Sequence, residues 1–115
     1  FAAGLGFCQG EVKKFPNTTK DKLPNVSWNN LTSNSLEWEN TILEGITKED
    51  DFYFVHSYIC LPGNQDTILA HSNYGGVQFC SVMKNKNIYG CQFHPEKSSF
   101  KGLMILNNFI NIAEK

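Results

Sequence analysis

The chain contains no arginine: its ten basic residues are all lysine, set against eleven Asp and Glu, for a formal net charge of −1 over 115 residues. It therefore has no guanidinium fork to grip phosphate or carboxylate bidentately. Charged residues make up 18%, against the roughly 25% usual for soluble domains, and the basic excess that nucleic-acid binding draws on is missing. No apolar run approaches the ~20 residues that a membrane-spanning helix requires. The four cysteines, Cys8, Cys60, Cys80 and Cys91, form no C-x-x-C pair and no tight cluster. Nothing at the start combines a charged head with an apolar stretch as a secretory signal does. These absences predict a reducing, cytoplasmic setting. The opening Phe1-Ala2-Ala3-Gly4 has no initiator Met and reads as a loop feeding a strand, so the chain is read as the C-terminal piece of something longer.

What is present is enough apolar material for a single core, with hydrophobic residues at 41% and aromatics at 13%. Gly10 to Phe15 reads as a short strand ended by Pro16 and Asn17, followed by a lysine-rich loop and an extended stretch from Val26 to Leu31. Trp38 and Ile42-Leu43 are expected to anchor one helical turn. From Asp51 to Ile59, Phe52, Phe54 and Tyr58 alternate with Tyr53, Val55 and Ile59. Apolar bulk on both sides predicts a central strand covered on each face, as in an α/β layer architecture. Thr67 to His71 is the next strand, Asn73 to Gly76 a turn, and Val77–Met83 with Ile88–Phe93 a hairpin. If Asn85-Lys86 is its two-residue turn, Cys80 faces Cys91 within reach of a disulfide, although such thiols in a reducing setting are usually small core residues. The chain closes in a helix from Ser99 to Ala113. Leu103, Leu106, Ile110 and Ala113 form one stripe and Ile105, Phe109 and Ile112 lie beside it, a band wide enough to pack flat on a sheet. The expected fold class is α/β.

The run Gly90 to Ser99, GCQFHPEKSS, leaves a strand and places His94 and Glu96 two residues apart at its C-terminal edge, where open α/β sheets build their sites. Pro95 fixes its own φ and keeps His94 out of the helical region, so the two side chains leave a stiffened, extended tripeptide. His94 can take a proton from a nucleophile through one ring nitrogen while Glu96 holds the other N–H and stabilises the imidazolium. The plain alternative is a surface turn whose histidine caps or packs. A metal reading fails on spacing: H-x-E opens the zinc deaminase signature, but P-C-x-x-C must follow, and no cysteine comes after Cys91.

The longer context bears on the choice. Gly90 to Ser99 resembles the G-x-Q-F-H-P-E-K-S segment of class I glutamine amidotransferases. Gly4-Leu5-Gly6-Phe7 with Gly10-Glu11-Val12, then Pro24 with Trp28-Asn29, then Phe52 to Tyr58 (FYFVHSY), look in that order like the glutaminase subunits of imidazole glycerol phosphate synthases. The resemblance implies the C-terminal part of a single flavodoxin-like amidotransferase domain over residues 1–115, with a mixed sheet, a terminal hairpin and a C-terminal helix. It also implies a Cys-His-Glu triad that hydrolyses glutamine to glutamate and ammonia without a cofactor. The ammonia would pass to a (β/α)8-barrel synthase (cyclase) subunit in histidine biosynthesis. On the matching motifs, His94 is the base and Glu96 its orienter, and the main chain of Ser57 and Tyr58 helps to hold glutamine. Trp28, Asn29, Tyr53 and Lys97 are candidates for the face that meets the barrel. For Trp28 and Tyr53, ordinary core packing is the alternative.

The nucleophile is a separate matter. Gly6-Phe7-Cys8-Gln9-Gly10 matches the family's G-x-C-x-G elbow by letters. An elbow, however, needs a buried strand before the cysteine and a helix after it to lower the thiol pKa, and Pro16 leaves no room for that helix. Cys8 instead occupies an apolar slot of the G-L-G-F segment, so the nucleophile is expected upstream of Phe1 and these residues alone are expected to be inactive. The family's P-H-M-G-W-N segment appears here as Pro24-Asn25-Val26-Ser27-Trp28-Asn29. The changes of the His and Gly, to Asn25 and Ser27, are expected near the partner face, which admits a paralogue feeding ammonia to a sugar-aminating partner. A γ-glutamyl peptidase would share H-P-E, but G-L-G-F and W-N speak against it. A catalytically silent binding module is the third alternative.

Overall fold

Residues 10–16, 22–33, 38–85 and 88–113 are described by the structure, a computed structural model. Along the chain lie β1 (Gly10–Lys14), β2 (Asn25–Asn30), β3 (Asp51–His56), β4 (Tyr58–Pro62), β5 (Ile68–Tyr74), β6 (Val77–Asn85), β7 (Ile88–Cys91) and α1 (Ser99–Ala113). Short 3-10 turns occupy Gln65–Thr67 and Pro95–Lys97. The strands form three small sheets, β1-β4, β2-β3 and β5-β6-β7, antiparallel in every pair. An isolated bridge between Thr32 and His71, closed by main-chain bonds of 2.8 and 2.7 Å, ties the end of β2 to β5.

The segment 51–59 departs from its expected form. It is two strands, β3 paired with β2 and β4 paired with β1, and Ser57 lies between them. Phe52, Phe54 and His56 point inward, while Asp51 is exposed and Val55 stands 38% open. Tyr58, expected beside Phe52 and Phe54, is exposed instead. The expected cover on both faces is absent among the described residues, because the outer face of β3 adjoins Val26 and Trp28, which are themselves exposed. The inner face is tightly packed. Phe54 meets Phe79 edge-on at 5.7 Å and 84°, and Phe93 packs against Phe52 at 4.8 Å, within the range where aromatic pairs add to simple burial.

The hairpin register is also corrected. Asn85 pairs with Ile88 and Val82 with Cys91, and the partner of Cys80 is His71 on β5. Cys80 and Cys91 are free and buried, whereas Cys60 is disulfide-bonded, against the expectation of reduced thiols. At the other hairpin, Tyr74 pairs with Val77 across Gly75-Gly76, both at positive φ (58° and 83°), as a tight two-residue turn demands. The helical turn expected at 38–43 is a series of turns. Thr41 and Glu44 donate to the carbonyls three residues back, and the Trp38 indole donates to the Leu69 carbonyl at 3.0 Å.

Helix α1 covers the predicted span but faces a different way. Gly102 and Ile105 are buried and Phe109 and Ile112 pack on the core, while Leu103 and Ile110 face outward. Gly102 sets this rotation. A Cβ there would lie 2.0 Å from the Pro95 carbonyl oxygen, so only glycine lets the helix sit this close to the 95–97 turn.

Candidate active site

His94 leaves β7 in an extended conformation (φ −101°, ψ 99°), as a residue before proline must, and Pro95 then opens the 3-10 turn. The His94 amide donates to the Tyr53 carbonyl on β3 at 2.9 Å, and its carbonyl accepts from the Lys97 amide at 3.1 Å. The imidazole therefore projects from main chain held at both ends. Its Nδ1 lies 3.1 Å from Glu96 Oε2. A carboxylate can only accept, so Nδ1 carries the proton and the neutral ring keeps the lone pair on Nε2. With the His94 side chain 39% and the Glu96 side chain 55% exposed, a reactant can approach the ring from solvent.

Sequence reasoning missed the two residues beneath this turn. Ser98 is fully buried. Its hydroxyl donates to the His94 carbonyl at 2.5 Å and accepts from the Tyr53 amide at 2.9 Å. Gly102 donates to the Ser98 carbonyl at 3.1 Å and admits the turn against the helix. A serine ahead of a helix usually reads as an N-cap, which hid its actual use. The glycine inside a helical pattern was the available signal, because such a residue costs stability unless a close approach requires it.

At the end of β3, His56 is the buried counterpart. Its Nδ1–H donates to the Tyr58 carbonyl at 3.0 Å and its Nε2 accepts from Asn25 Nδ2 at 3.0 Å. The Asn25 Oδ1 in turn accepts from the Ser27 hydroxyl at 2.6 Å. Burial, partly opposed by the bond to the Tyr58 carbonyl and helped slightly by the nearby His94, brings the His56 pKa down to about 4. The ring is neutral at physiological pH. Asn25 and Ser27, the departures expected near the partner face, both take part in this network, Asn25 fully buried and Ser27 half-buried.

Ser57 and Tyr58 occupy the β3–β4 junction. The Ser57 carbonyl accepts from the Phe15 amide at 2.9 Å, and the Tyr58 carbonyl is engaged by His56. Trp28 and Tyr53 are register partners with ring centroids 5.6 Å apart. Trp28 is 51% exposed, which excludes core packing for it, and Tyr53 is half-buried. The Asn29 amide donates to the Asn73 carbonyl, and Lys97 is exposed on the turn. Cys8 lies outside the described residues. Burial raises the Cys80 thiol to about 12 and the Cys91 thiol higher still, so neither supplies a thiolate at neutral pH. Among the described residues no group of three or more His, Cys, Asp or Glu is placed to hold a metal ion, and no helix is long and apolar enough to cross a membrane.

Comparison with known proteins bears on what this arrangement is for. Imidazole glycerol phosphate synthase subunit HisH 1 of Legionella pneumophila (strain Lens) is 43% identical over 115 residues, covering 95% of this chain and 54% of that protein. Subunit HisH of Pelagibacter ubique is 44% identical over 110 residues, covering 95% and 51%. The chain thus spans about half the length of the curated relatives it matches. In structure it is similar to a GMP synthase subunit from Thermoplasma acidophilum, with a TM-score of 0.67 and 26% identity over 90% of this chain and 48% of that one. The family model for class-I glutamine amidotransferases matches residues 5–112. A match over nearly the whole length, with relatives above 40% identity, shows that the chain belongs to the class I glutamine amidotransferase family.

Proposed function

We propose that the protein carrying this chain is the glutaminase subunit of an imidazole glycerol phosphate synthase. It would hydrolyse glutamine to glutamate and ammonia for a (β/α)8-barrel synthase partner in histidine biosynthesis. These 115 residues form the C-terminal portion of one amidotransferase domain and supply the base half of its triad. The observation that carries the reading is the His94 Nδ1 to Glu96 Oε2 contact of 3.1 Å, which leaves Nε2 unprotonated beside an open approach. Nε2 removes the thiol proton as a cysteine sulfur attacks the glutamine carboxamide. The resulting imidazolium, steadied by Glu96, protonates the departing ammonia. The thioester is then hydrolysed by water that the same nitrogen deprotonates. The main chain at Ser57 and Tyr58, held by Phe15 and His56, contributes polar groups to the α-amino and α-carboxyl ends of the substrate.

The exposed Trp28–Tyr53 pair, with Asn29 and Lys97, is proposed to meet the barrel subunit. No cofactor is required. The nucleophile is proposed to lie outside this segment, because the described thiols are buried and Cys8 lacks the elbow context. The full-length protein is expected to release glutamate from glutamine, with loss of activity in His94→Ala and a large reduction in Glu96→Ala. Glutamine hydrolysis by the 115-residue segment alone, abolished by Cys8→Ala, would overturn the assignment of the nucleophile. Full activity in the His94→Ala protein would overturn the assignment of the base.

The sugar-aminating alternative rested on the changes at Asn25 and Ser27. Asn25 is buried in the His56 network and Ser27, half-buried, bonds to it, so neither change by itself favours a different partner.

A further inference from the structure

We propose that Ser98 is a positioning residue for His94, its hydroxyl completing a bridge that fixes the main chain from which the imidazole projects. The inference rests on His94 being the base, as proposed above.

Two residues facing each other across an antiparallel hydrogen-bonded pair exchange two bonds, each amide donating to the other's carbonyl. Tyr53 and His94 are not ladder partners, but one such bond runs between them, from the His94 amide to the Tyr53 carbonyl at 2.9 Å. The His94 carbonyl has turned away, because Pro95 starts a tight turn at once and the Lys97 amide takes that carbonyl at 3.1 Å. The return bond therefore runs through a side chain: the Tyr53 amide donates to Ser98 Oγ at 2.9 Å, and Ser98 Oγ donates to the His94 carbonyl at 2.5 Å. The hydroxyl is inserted into the pair as a relay.

Its surroundings leave no substitute. Ser98 has no exposed surface, so water cannot replace the hydroxyl, and a buried amide left without a partner is costly. The space is closed from the helix side as well, since a Cβ on residue 102 would fall 2.8 Å from the Ser98 Cβ. The imidazole is thus oriented by two independent groups, Glu96 acting on the ring and Ser98 on the main chain. Misplacing a catalytic group by about 1 Å costs roughly a hundredfold in rate.

The test uses the full-length protein and its glutaminase reaction. Ser98→Ala is expected to lower kcat about ten- to a hundredfold, to leave KM for glutamine within about twofold, and to displace the acid limb of the kcat pH profile. Ser98→Thr keeps the hydroxyl but adds a methyl to a closed site, so it is expected to recover only part of the rate while keeping the parent's pH profile. Nitrogen-15 NMR of the His94 ring is expected to show one tautomer in the parent and a mixture in Ser98→Ala. If Ser98→Ala does not fold, the near-isosteric Ser98→Cys carries the same expectation with a smaller loss, since sulfur is a weak donor and acceptor. Parent-level kcat in Ser98→Ala or Ser98→Cys, or an unmoved pH profile in Ser98→Ala, would each overturn the proposal. A parent protein without glutaminase activity would defeat the base reading instead, and the NMR signal would still judge the bridge.

Discussion

His56 and His94 are both fastened to strand β3, one at its end and one opposite its middle, and they are treated in opposite ways. His56 sits among Phe15, Phe79 and Phe54, with ring centroids 5.2, 5.0 and 5.7 Å away, and both its nitrogens are occupied. His94 spends one nitrogen on Glu96 and keeps the other. A histidine whose bonds are complete belongs to the architecture. One left a bond short on an open face is available for chemistry.

The largest effect expected from breaking this contrast falls on His94. In the full-length protein, His94→Ala should lower the proposed glutaminase kcat by about a thousandfold or more while the denaturation midpoint moves little, because the ring is partly exposed. His56→Ala should do the reverse. It opens a void among three aromatic rings and strands the fully buried Asn25, for an expected loss of about 3–5 kcal/mol in urea unfolding.

The pH dependence of stability sharpens the same comparison. The folded-state pKa of His56 is lowered from 6.5 to about 4, so between those values the unfolded chain binds a proton that the folded chain refuses. Stability from this group is fully present above pH 6.5 and declines as pH falls toward 4, by roughly 3 kcal/mol at most. Unfolding curves across that window should show the slope, and His56→Asn should flatten it. Gly102→Ala, which drives a Cβ against the Pro95 carbonyl, should cost about 1–3 kcal/mol and reduce glutaminase activity along with stability. The smallest effect belongs to Ser99, which adopts a left-handed φ of 59°. Ser99→Gly should leave activity unchanged and raise stability by about 1 kcal/mol or less, read as a small rise in Tm.

The histidine–glutamate pair was legible in the sequence because it is local: two residues, stiffened by the proline between them. The span of α1 was legible from its period, and β1 and β2 from their flanking prolines and polar loops. The rotation of α1 was not, since it follows from a backbone contact at Gly102 and not from the hydrophobic stripe that Leu103 and Ile110 suggested. The break at Ser57 was hidden because the aromatic and aliphatic residues on either side of His56-Ser57 read as one alternating run. Only the change of pairing partner, from β2 to β1, reveals the two strands. The hairpin slipped by one turn position because residues 84–87 are all Lys or Asn and mark no unique turn. The Asn25–His56 bond was unreadable for a different reason, as it joins residues brought opposite each other only by the β2–β3 register.

The single-residue joint at Ser57 has a mechanical meaning. One continuous stretch of backbone is stitched into two sheets, and the joint's own carbonyl is pinned by Phe15. Shear between those sheets has nowhere to be absorbed except in the torsions of that one residue. The main chain on either side of the joint thereby inherits the stiffness of both sheets.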